Sequence, residues 1–137
     1  MAIDFSKINL EIIDINTNAE PDIYVNQNCI TFSKRVLEDM SYPQNVQYGI
    51  DPKQHVFAIK VCKSNEARAA GFSKPRGEQT STLSCGNRNL KDVVAKMIPN
   101  YQPKKRYKIT GEFDAESRVM YFDMTTAVES TFGATDR

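Results

Sequence analysis

The sequence predicts an α+β fold, a tandem strand–helix–hairpin repeat that closes into a small pseudo-two-fold β-barrel or sheet. Three observations carry this expectation. Short apolar runs bounded by turn residues mark strands, and two segments place apolar residues at helical spacing. The order of elements then recurs: Asp51 to Val61 aligns with Asp114 to Met124 at an offset of 63, and Val36 to Met40 with Val93 to Met97 at an offset of 57. The second copy would carry its six extra residues around Asn100 to Lys105. Convergent patterning is the alternative.

In chain order, residues 1–22 read as an acidic N-terminal arm or strand, with Ile8, Leu10, Ile12, Ile13 and Ile15 alternating weakly before the turn-forming cluster at Asn16 to Pro21. Ile23-Tyr24-Val25 and Cys29 to Phe32 form two short strands around Asn26-Gln27-Asn28. Ser33 then caps a helix over 34–41, and the residue before Pro43 ends it. Val46 to Ile50 and His55 to Val61 make a hairpin across Asp51 to Gln54. Lys63 to Thr82, rich in Ser, Gly, Lys and Arg, reads as a mobile basic loop. Thr82 to Cys85 leads to a second helix over 90–98, capped by Asn89, with Asp92 in its first turn. Tyr107 to Phe113 and Arg118 to Met124 form the last hairpin. The repeats thus span 23–62 and 83–124 of one domain, and 125–137 is a flexible tail. Val36, Leu37, Val56, Phe57, Ile59, Val93, Val94, Met97, Val119, Tyr121 and Phe122 are the candidate core.

With 137 residues, 40% apolar and 26% charged, the chain suits one domain that needs neither disulfides nor a structural metal. Its apolar runs are far shorter than the roughly 20 residues that cross a bilayer. The first residues lack a basic and an apolar signal region, so a cytoplasmic location is expected. Three widely spaced cysteines, Cys29, Cys62 and Cys85, read as buried free thiols. Net charge of +1 hides an asymmetry. Residues 1–23 sum to −4, whereas residues 24–123 hold 16 Lys plus Arg against 10 Asp plus Glu and sum to +6. Such a body can attract a polyanion or can simply be a solvated surface.

The residues argue against catalysis. His55 is the only histidine and opens a strand, where a structural role is expected. Cys85, near Arg88 and a helix start, is the one thiol whose setting could lower its pKa. The carboxylate pairs Glu38-Asp39 and Asp114 with Glu116 lack acid–base geometry, and Gly71 and Gly77 lack the surroundings of a phosphate loop. No enzyme, metal or cofactor is expected. The most informative cluster is basic: Lys104, Lys105, Arg106 and Lys108 at the start of a strand, Lys34 and Arg35 at the start of a helix, and Lys74 and Arg76 in the central loop. Lys and Arg in such places suit phosphate contacts. Charges that guard strand edges are the competing explanation.

The stretch Asn28-Cys29-Ile30-Thr31-Phe32-Ser33-Lys34-Arg35-Val36-Leu37, followed by Val46 to Ile50 and Val56 to Val61, resembles the swapped-hairpin fold of the AbrB and SpoVT type of bacterial regulator. In that family a short strand and an I-x-F/I-P/S-K segment lead through one helical turn into a hairpin. The resemblance implies two copies interleaved in one small DNA-binding barrel, with Leu83 to Met124 as the second copy in the same chain. Two departures stand out: Ser41-Tyr42-Pro43 replaces the family's glycine after the helix, and Ser84-Cys85-Gly86-Asn87 stands where the basic strand would begin. The expected function is nucleic-acid binding or transcription regulation of bacterial or phage type, with DNA as partner. The alternative is a non-catalytic interaction or structural module whose partners are other proteins or further copies of the chain.

Overall fold

Alternation of buried and solvent-facing residues builds the strands. The computed structural model describes residues 5–10, 20–75, 77–79 and 82–130. Most of the expected acidic arm, the end of the expected tail (131–137) and Arg76 lie outside the described residues. Within the arm, Phe5–Lys7 form a 3-10 turn.

Strands β1 (Asp22–Val25) and β2 (Ile30–Phe32) form a hairpin whose turn is held by Asn26: its Oδ1 accepts from the backbone N–H of Asn28 and Cys29, each at 2.9 Å. Helix α1 (Lys34–Asp39) follows. Ser33 stands at its N-cap but makes no side-chain cap; its Oγ instead accepts from Asp22 N–H and donates to the Glu20 carbonyl, tying the helix start to β1. At the other end, Tyr42 N–H donates to the Leu37 carbonyl and Ser41 N–H to Glu38, the double closure of a Schellman motif. Strands β3 (Asn45–Asp51) and β4 (Val56–Val61) form the next hairpin, β5 (Ala70–Gly71) pairs with β3, and β6 (Leu83–Cys85) leads into α2 (Arg88–Ala95). Asn87, not Asn89, caps α2, its Oδ1 accepting from Leu90 N–H at 3.0 Å. The helix therefore starts two residues earlier than expected, and Asp92 lies beyond its first turn. Then come β7 (Arg106–Asp114), β8 (Val119–Asp123), a 3-10 turn over Met124–Thr126, and β9 (Val128–Ser130).

The α+β expectation is corrected by this architecture. Nine strands among the described residues join in antiparallel pairs along the path β5-β3-β4-β8-β7-β1-β2-β6, with β9 beside β7, and curl into a half-barrel. The two helices hold only six and eight residues, so the protein is nearly all-β and not a repeat of α+β units. β1 inserts between β7 and β2, while β5 and β9 extend the sheet from segments expected to be loop and tail. Local patterns reveal strands and turns. They carry no information on which edges meet, and pairing decides the architecture.

β7 is the shared strand. Its first half pairs with β1 and β9, and its second half with β8, so it bends from one half of the sheet into the other. Gly111 lies where the two halves meet, facing the ring of Phe122. Inside, Phe122 stacks on Phe57, Phe57 on Tyr48, and Phe72 bridges Tyr48 to Phe32 by edge contacts. Ile23, Val25, Ile30, Val36, Ile59, Ile109 and Met120 complete the core. Among the expected core residues, Val93 and Tyr121 are each 42% exposed and Val56 is only half-buried, because each lies on the outward side of its element.

Candidate nucleic-acid interface

In β1, Ile23 and Val25 are fully buried and Tyr24 between them faces out; in β2 the same holds for Thr31 between Ile30 and Phe32. Lys108 faces out between buried Tyr107 and Ile109, and Ser84 is the exposed residue of β6. The register lines these positions up. Val128, Lys108, Tyr24, Thr31 and Ser84 are successive cross-strand partners over β9, β7, β1, β2 and β6. Five strands at about 4.8 Å spacing make this row about 19 Å wide. Thr31 and Ser84 hydroxyls hydrogen-bond at 3.1 Å, and the Arg106 guanidinium lies over the Tyr24 ring, 4.0 Å from its centroid.

This contact makes the row more than a solvated sheet. The negative face of an aromatic ring attracts a guanidinium, so Tyr24 fixes where the Arg106 charge sits. Arg106 is thereby positioned on the same side of β7 as Lys108. Lys105 lies at the rim and pairs with Glu129 at 3.1 Å, while Lys104 is exposed in the preceding turn. Asp22, the acidic residue of β1, is only 8% exposed and accepts from Thr110 Oγ1 at 2.6 Å.

Of the residues singled out in the sequence, the structure brings Lys104, Lys105, Arg106 and Lys108 to this edge of the row. Lys34 and Arg35 sit elsewhere, on α1, where Arg35 Nε donates to Asp39 at 2.7 Å; that hydrogen bond and charge raise its pKa further. Lys74 is exposed on the segment anchored to the α1–β3 connection by Ser73, whose N–H and Oγ both donate to the Pro43 carbonyl. Tyr24, Thr31 and Ser84 escape a search for charge. Their signal is nevertheless present: in β1 and β2 a polar or aromatic residue stands between two large apolar ones, which is the period-two mark of an outward face.

The other candidates acquire structural roles. His55 closes the β3–β4 turn, its Nδ1 2.9 Å from the Met97 carbonyl, and so ties the hairpin to the end of α2. Cys85 lies beside Tyr48, whose hydroxyl pKa is pushed up by burial first and by Cys85 second. Cys29, Cys62 and Cys85 are free and half-buried. Asp114 caps the β7–β8 turn, accepting from Ser117 Oγ and Glu116 N–H. Among the described residues no group of His, Cys, Asp and Glu is placed to hold a metal ion, and no helix is long and apolar enough to cross a membrane. No protein-family model, curated protein or solved structure matches the chain.

Proposed function

We propose that the protein binds nucleic acid across the outward row of β9, β7, β1, β2 and β6. The observation that carries this reading is the Arg106 guanidinium held over Tyr24 on the side of β7 that Lys108 shares. A guanidinium so held offers N–H donors to a phosphate and a planar face to an unstacked base, and Lys108 adds a second charge. Thr31 and Ser84 supply hydroxyls to sugar or phosphate oxygens farther along. A sheet surface of cation, aromatic and hydroxyl groups suits a single strand, whose bases are free to stack, better than the groove of a duplex. Bacterial or phage regulation, in a cytoplasmic setting that keeps the three thiols reduced, is the process this activity fits.

Fluorescence anisotropy with a labelled oligonucleotide at two salt concentrations tests the proposal. Binding should weaken as salt rises, and removing one phosphate-binding cation, by Arg106→Ala or Lys108→Ala, should lower the log–log salt slope for a single strand by about 0.7. Tyr24→Ala removes the ring that positions Arg106 and should weaken binding by about 0.5–2 kcal/mol, the size of a cation–π contact. Variants that keep the parent's affinity and slope would overturn the reading, as would a parent that binds nothing at low salt.

A further inference from the structure

A second outward patch lies on the other half of the sheet and adjoins the row above along β7, where Glu112 stands four residues beyond Lys108 on the same side. There Gly49, Ala58, Tyr121 and Glu112 are successive cross-strand partners over β3, β4, β8 and β7. Gly49 and Ala58 leave a shallow floor, from which the 42%-exposed Tyr121 stands up as a ridge. The hollows around it differ in charge. One, of about 610 Å³, is lined by Lys60 and Arg68 together with Gln47 and Ala58; a second, of about 410 Å³, is lined by Glu112 and Asp123 with Val56 and Thr110; and a third, of about 390 Å³, by Asp51 and Gln54 with Ile50. Lys60, Arg68, Glu112 and Asp123 are all exposed, so their charges act outward.

An apolar ridge between a cationic and an anionic hollow is self-complementary. A two-fold axis through Tyr121 sets each hollow of one copy against the opposite hollow of another, so every contact is made twice. We infer that this face is a homodimer interface, in which Tyr121 packs across the axis and Lys60 and Arg68 meet Glu112 and Asp123 of the second copy. Four strands at about 4.8 Å and six residues at about 3.4 Å give a face of about 14 by 20 Å. That is well under the roughly 800 Å² per partner of a standard interface, so the dimer should be weak, concentration-dependent and sensitive to salt.

Sedimentation equilibrium from about 1 μM to about 1 mM at low salt should carry the parent from monomer to dimer. Lys60→Glu and Glu112→Lys, each placing like charges against one another, should each remain monomeric with unchanged circular dichroism and melting temperature. An equimolar mixture of the two variants restores both opposite-charge contacts, so it should form a heterodimer. Tyr121→Ala should weaken association independently of salt. A parent that stays monomeric throughout would overturn the inference, whether the face is bare or covered by another molecule. So would a mixture that associates no better than either variant alone.

Discussion

Ser41 holds φ at 60°, the left-handed value that the Schellman closure of α1 requires at the residue after its cap, and Tyr42 follows at 52°. An L side chain in that region costs about 1–2 kcal/mol, whereas glycine enters it freely. Ser41→Gly should therefore raise stability by up to about 1 kcal/mol, read from chemical denaturation, after glycine's extra unfolded-state entropy is offset. Gly111 carries the opposite expectation. A Cβ there would lie 2.5 Å from the Phe122 ring, which is itself stacked on Phe57, so the ring cannot swing away cheaply. Gly111→Ala should lower stability by about 1–3 kcal/mol through overpacking. Asp114 links the β7–β8 turn to pH: the Ser117 hydroxyl, followed by the Glu116 and Ser117 N–H groups, holds its pKa below the usual carboxylate value. A lowered folded pKa adds stability above the unfolded value, and that stability is lost as pH falls through the folded one. Ser117→Ala should thus be less stable than the parent at neutral pH, and the difference should begin to close below about pH 4 in acid titrations followed by circular dichroism.

At the scale of elements, strands and turns are legible in the sequence because their signals are local. Apolar alternation places β3, β4, β7 and β8 to within two residues at each end, and Asp51 and Asp114 mark turns that they do cap. Both helices are legible, but their ends are not. α1 stops at Asp39 in a backbone closure made here without the glycine that usually signals it, and α2 starts at the Asn87 cap, two residues before the asparagine nearest the apolar run. β5 and β9 leave no trace, because two- and three-residue strands with exposed side chains have no periodicity to detect. They exist because β3 and β7 offer open edges, and an edge is a tertiary property. The same distinction explains the candidate site. Charge identifies Arg106 and Lys108, whereas Tyr24, Thr31 and Ser84 join them only through cross-strand register.

For the whole molecule, β7 is the element that makes one sheet of two halves. Its outward side carries Arg106 and Lys108 beside Tyr24 and, four residues beyond Lys108, Glu112 beside Tyr121, so the two faces adjoin on this strand. One face is cationic with hydroxyls. The other is an apolar ridge between hollows of opposite charge. The most direct measurement is a backbone NMR titration of the isotope-labelled protein with a short single-stranded oligonucleotide at low salt. Shift changes caused by the oligonucleotide should concentrate at Tyr24, Thr31, Ser84, Arg106 and Lys108 and be smaller when the titration is repeated at higher salt, and at each salt concentration the oligonucleotide itself should leave Gly49, Ala58 and Tyr121 unmoved. Changes confined to the Tyr121 face, or none at any position, would contradict the assignment of the row as a nucleic-acid interface.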